Sequence, residues 1–138
     1  MRIVTTIALV LALSAAALGA AVAAPIATSD RNAIVTKIAM SYVAWNTDKD
    51  YAKATALCDE ARAIAADFDP DDWSQGHLDG CMADIAEARG DKASTCTLRD
   101  SQIAHYERVM AGDRAKLKKS LESSLASART SRTALNCP

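Results

Sequence analysis

The sequence predicts an all-α fold: a small disulfide-stapled bundle, or a short stack of helical hairpins, with four to five helices after a signal peptide. Three observations carry this expectation. Alanine is abundant and β-branched runs are few, a composition that favours helix over strand. Apolar residues recur three and four positions apart, the spacing of one helix face. Four cysteines, an even number, follow a leader that directs a chain to an oxidising compartment.

The leader comes first. Arg2 supplies a positive start, Ile3 to Leu18 carry no charge, and Ala21-Val22-Ala23 forms an A-x-A cleavage site. A membrane anchor is the competing reading, since 18 or more apolar residues can span a bilayer. The stretch is rich in Ala, Ser, Thr and Gly, and its strongly apolar part is short, which favours cleavage between Ala23 and Ala24. Residues 1–23 are therefore read as a signal peptide and 24–138 as a single helical domain, exported to a periplasm or secreted.

That domain has a thin core. Leu, Ile, Val and Phe together number 17 of its residues, against 22 Ala. Its net charge is too small for the disordered class. Such a domain has to pack closely and use cross-links. Charge is uneven: Ala24 to Gly112 carries 9 basic and 15 acidic side chains, and Asp113 to Pro138 carries 6 and 2.

The elements follow in order. Ala24 to Ser29 reads as an extended lead-in, and the first helix starts after Ser29 or Asp30, both good caps. Ile34, Ile38, Tyr42 and Trp45 mark its apolar face. Asn46-Thr47-Asp48 breaks the pattern and offers a cap for the second helix. There Tyr51, Ala54, Cys58, Ala61, Ala65 and Phe68 form the clearest stripe, flanked by Leu57 and Ile64. Pro70 ends it. Asp72 and Gln75 can form a capping box for the third helix, whose stripe is Leu78, Cys81, Met82 and Ile85. Gly76 and Gly80 weaken that helix but let a neighbour approach closely. Gly90-Asp91 stops it. Thr97 to Leu135 is either one helix or two. A single helix from Leu98 would be about 57 Å long at ~1.5 Å per residue, awkward in so small a domain. Gly112-Asp113 favours two, as a stop followed by a new cap.

Asp50-Tyr51-Ala52-Lys53-Ala54, with Cys58, Ala61 and Ile64, resembles the second helix of a tetratricopeptide repeat, and Gly90-Asp91 looks like the turn of a second one. The likeness covers about a third of the chain. The two turns lie about 41 residues apart where the family repeats every 34, Thr95 stands where Ala is expected, and the Trp-Leu-Gly signature is missing. The resemblance implies stacked helical hairpins and a protein-binding role, and it implies no catalytic residue.

Cys58, Cys81, Cys96 and Cys137 read as two disulfides, for which three connectivities exist. Cys58 and Cys81 lie on the stripes of consecutive antiparallel helices, which favours pairing 58–81 with 96–137. The second pair can meet only if the chain reverses near Gly112. No C-x-x-C or C-x-x-C-H occurs, which argues against thioredoxin-like exchange, a zinc ribbon and haem attachment. His77, Cys81 and Asp84 share a helix face and have the types of a metal site or an activated thiol, but both need a free thiolate. His105 has no spacing partner. Asp67, Asp69 and Asp71 echo a calcium loop, yet Asp72 and Leu78 replace its Gly and Glu. Arg114, Lys116, Lys118 and Lys119 precede Leu121 and Leu125 and form a candidate contact for an anionic membrane or envelope surface. Nucleic acid does not fit an exported, slightly acidic chain.

The sequence thus points to a non-catalytic interaction module that binds an unknown protein partner and needs no cofactor. The alternatives are surface binding through the basic terminal helix, and a Cys/His metal carrier or enzyme.

Overall fold

The computed structural model describes residues 26–112 and 115–138, so the leader assigned to 1–23 lies outside them. Five helices follow one another: α1 (Thr28–Asn46), α2 (Tyr51–Ile64), α3 (Trp73–Ala88), α4 (Lys92–Ala111) and α5 (Ala115–Ala134). A 3₁₀ turn over Ala65–Asp67 extends α2. No strand occurs among the described residues. Short connections bring each helix back beside its predecessor. α1 packs on α2, α3 on both, α4 on α3 and α5 on α4, giving a row of hairpins with α3 at its centre.

Local chemistry sets most of the boundaries, and it shifts several expected ones. α1 begins at Thr28, before the Ser29 or Asp30 start. The Ala27 carbonyl accepts from the Asp30 and Arg31 N–H groups. This leaves Asp30 in the first turn, where its charge suits the positive end of the helix. Along α1 the buried residues are Ile34, Ser41 and Ala44, while Tyr42 is 52 % exposed. Ser41 can replace Tyr42 on that face because its hydroxyl donates to the Ala54 carbonyl at 2.9 Å. That bond removes the cost of burying a polar group.

The stripe of α2 is buried as expected through Ala54, Cys58, Ala61 and Ala65. Its cap is Asp50, two residues beyond the expected turn, which accepts from the Lys53 N–H at 2.9 Å. Asp72 caps α3 by accepting from the Ser74 N–H and hydroxyl. Gln75 does not close a capping box; its amide donates to the Ala65 carbonyl at 3.2 Å and ties the 3₁₀ turn to α3. Asp72 also accepts two bonds from Arg31 at 3.2 and 2.8 Å, which joins α1 to the start of α3. α4 starts at Lys92, earlier than Thr97, because Gly90 at φ +75° ends the preceding turn and Asp91 caps Ser94 at 3.1 Å. α4 ends at Ala111 and α5 starts at Ala115, so the chain does break at Gly112.

The thin core is divided. Ala44, Ala54, Leu57, Cys58, Cys81 and Ile85 form one cluster, and Ile34, Ala61, Ala65 and Leu78 a second. Tyr106, Val109, Leu121 and Leu125 form a third between α4 and α5. The close approach of α3 and α4 rests on glycine. A Cβ on Gly76 would stand 2.5 Å from Tyr106 Cε1, and one on Gly80 2.5 Å from Gln102 Nε2. The Tyr106 ring is buried and cannot fold aside, whereas the Gln102 amide ends a longer side chain, though it too is buried and bonded to Arg99. Overpacking costs ~1–3 kcal/mol, against up to ~1 kcal/mol gained when Ala replaces Gly in a helix. Gly76→Ala should therefore destabilise the fold by about 1–2 kcal/mol, and Gly80→Ala by a smaller amount because only a side-chain end has to shift, as read by urea unfolding.

Candidate binding cleft

The cysteines pair as Cys58–Cys81 and Cys96–Cys137, with Cα–Cα distances of 6.2 and 5.5 Å. The first bridge staples α2 to α3. The second ties the start of α4 to the segment that follows α5. No described cysteine is free.

Two adjoining cavities of about 420 and 330 Å³ lie where α1, α3 and α5 face one another above α4. They share Asp84, Arg99 and Ser127, so they form one cleft. Trp45 and Ile38 of α1 stand at one wall, Ser127 and Ser131 of α5 at the other, and His77, Gly80 and Asp84 of α3 between them.

Arg99 organises the floor. Its side chain is 9 % exposed. Nη2 donates to Asp84 Oδ1 at 2.5 Å and to Glu87 Oε2 at 3.1 Å. Nη1 donates to Gln102 Oε1 at 2.9 Å, and Nε to Ser131 Oγ at 3.2 Å. Ser131 in turn donates to Glu87 Oε2 at 2.9 Å. One planar guanidinium thus joins three helices, a task its fixed fork of donors suits. Burial pushes the Asp84 carboxyl above its ordinary value, and the bond and charge of Arg99 oppose this only in part.

At the other end of the cleft His77 stands edge-on to Trp73 and Tyr106, with centroids at 4.8 and 5.4 Å. Its Nδ1 lies 3.2 Å from the Trp73 carbonyl and 3.0 Å from the Tyr106 hydroxyl. A carbonyl only accepts, so Nδ1 carries the hydrogen. Burial raises the Tyr106 phenol above its ordinary value and holds the His77 imidazole below the ordinary 6.5, although the Trp73 bond and the Asp72 charge favour the cation.

The sign of the pH effect follows. An imidazole held low in the fold binds its proton more readily in the unfolded chain, so stability falls as pH drops below ~6.5. Asp72 is shifted in the same direction by a different balance: burial pushes its carboxyl up, but bonds from Arg31 and Ser74 outweigh this and hold it below 3.8. Its contribution is lost only at lower pH, and that of Asp84, whose carboxyl is raised, is gained as pH falls toward its own titration. Stability should therefore decline between pH 7 and 5 through His77. His77→Gln should flatten that slope in unfolding measurements across the window.

The remaining sequence candidates separate. His77, Cys81 and Asp84 do line one cavity, but the Cys81 sulfur is bonded to Cys58, which removes the thiolate that both the metal and the nucleophile readings require. In the acidic turn Asp71 pairs with Arg108 of α4 at 3.1 Å, and Asp69 accepts from the Asp71 N–H at 2.9 Å. His105 does have a partner: it meets buried Asp79 at 2.9 Å, which also accepts from Ser101 at 2.6 Å. Arg114 and the side chain of Lys116 lie outside the described residues. Lys118 and Lys119 are exposed on α5.

Sequence reasoning missed Arg99 and Gln102. Both lie on a helix read only for its apolar positions, although Arg99, Gln102 and Tyr106 recur at three and four residues, the spacing of one face.

No protein-family model matches the chain, and neither a curated protein nor a solved structure matches it. Fold and cleft therefore stand on their own geometry.

Proposed function

We propose that this chain is an exported helical interaction module, periplasmic or secreted, that binds a segment of a protein partner in the cleft between α1, α3 and α5. The cleft itself carries the reading. It is open, it offers the Trp45 ring beside carboxylates and serine hydroxyls, and buried Arg99 fixes its floor. Preorganised walls reduce the ordering cost of binding. Next to it, α1 leaves Val35, Tyr42 and Val43 about half exposed, and Tyr42 packs edge-on to Trp45 at 5.1 Å. The two disulfides fit the oxidising compartment to which the leader points. The tetratricopeptide resemblance implies the same kind of role.

The test is site-specific photo-cross-linking in native envelope fractions. A photoreactive residue at Ser127 should give a discrete adduct with one protein, and the same residue at exposed Glu122 should not. Equal labelling from both positions, or none from Ser127, would overturn the reading. A second reading rests on the exposed Lys118 and Lys119 of α5: contact with an anionic surface, seen as binding to anionic vesicles that salt abolishes as the Debye length shortens to ~8 Å.

A further inference from the structure

The two disulfides sit in different surroundings. Cys58 and Cys81 are 1 % and 5 % exposed, inside an apolar cluster with Leu57 and Ile85. The second bridge borders a cavity of about 500 Å³ lined by Lys92, Ala93, Cys96, Thr97, Asp100 and Pro138. Cys96 itself is 7 % exposed, but Cys137 is only partly covered and follows the last helix.

We infer that Cys96–Cys137 is a thiol-exchange site, opened by an external thiol attacking the partly exposed Cys137 while Cys58–Cys81 stays closed.

The step balances as ordinary exchange. The thiolate of the incoming reductant attacks Cys137 Sγ and forms a mixed disulfide. The bond to Cys96 breaks, and its electron pair leaves on Cys96 Sγ as a thiolate. A second thiol then releases Cys137, so one disulfide is reduced to two thiols and two external thiols are oxidised to one disulfide. The direction of attack follows from two observations. Cys137 is the less buried residue of the pair. Cys96 shares its cavity with Lys92, whose ammonium favours a thiolate there, and with Asp100, whose charge Arg132 offsets. Cys58–Cys81 has no comparably exposed partner: Cys81 borders the cleft but is only 5 % exposed, and Cys58 is 1 % exposed with the Ser41 hydroxyl 3.2 Å from its Sγ.

The site also bears on the cleft. Ser131, which holds Arg99 Nε and Glu87, lies six residues before Cys137 on the segment that the bridge anchors. Opening the bridge removes one tie at the end of the α5 wall and leaves the Arg129–Glu107 and Arg132–Asp100 ion pairs to hold it.

The experiment uses the oxidised full-length chain at neutral pH, treated with reduced glutathione and pulse-alkylated, with peptide mapping over time. Cys96 and Cys137 should become alkylated at least tenfold faster than Cys58 and Cys81, with glutathione recovered on Cys137. Lys92→Glu should slow the reaction several-fold without changing the urea midpoint of the oxidised protein. Simultaneous labelling of all four cysteines would mean reduction through global unfolding and would overturn the inference. Earlier labelling of Cys58 and Cys81, or glutathione found on Cys96, would overturn it equally.

Discussion

Full reduction by a strong dithiol will unfold this protein at 37 °C and neutral pH. The bridges close loops with sequence separations of 23 and 41 residues. Loop-closure entropy assigns each ~3–4 kcal/mol, and the total stability of a domain of this size is only ~5–15 kcal/mol. The core has little to set against that loss. Its fully buried apolar positions include Ala44, Ala54, Ala61, Ala65, Ala83 and Ala128, and alanine contributes little buried area. Far-UV circular dichroism should show helix lost on reduction and regained on reoxidation. Cys58→Ala with Cys81→Ala should cost more than the loop term, because that bridge also fills the cluster between α2 and α3. A reduced chain that keeps its full helical signal and a sharp thermal transition would show that packing alone suffices.

The second large effect concerns Arg99. Replacing it by alanine leaves Asp84 and Glu87 without their cation and Ser131 without its donor. Breaking a buried ion pair from one side costs ~3–5 kcal/mol. Both carboxylates are about two-fifths exposed, so water offsets part of this and the expected loss is about 2–3 kcal/mol. Arg99→Lys should recover less than half of it, since one ammonium cannot reach Gln102, Asp84, Glu87 and Ser131 together. In Asp84→Asn the penalty of Arg99→Ala should shrink, which urea unfolding of the four proteins of the cycle would measure.

Much of the fold is legible in the sequence where one local rule acts alone. The stripe of α2 is periodic and apolar, and it is buried as read. The terminal helices break at Gly112, where the sequence carries a helix-stopping glycine, and the pairing of Cys96 with Cys137 follows. Gly76 and Gly80 signal a close helix contact that Tyr106 and Gln102 then make. The sequence is less legible where a polar side chain finds a partner far along the chain. Ser41 enters the core on the strength of one bond to Ala54, thirteen residues away. Arg99 is buried because residues 12 to 32 positions distant satisfy it. Periodicity counts such side chains as solvent-facing, so the floor of the cleft was invisible while its framework was not. The start of α4 is hidden for a related reason: Lys92 to Thr95 carry no apolar stripe, and the Asp91 cap rather than periodicity determines that they are helical.

The staples hold the hairpins in the order that forms the cleft, so the disulfide map tests the account most directly. Protease digestion of the non-reduced protein, with free thiols blocked at the outset, should yield one peptide pair linking Cys58 to Cys81 and another linking Cys96 to Cys137. Recovery of Cys58 joined to Cys96, or of Cys137 joined to a second chain, would contradict the pairing, the reversal at Gly112 and the placement of α5 against α4.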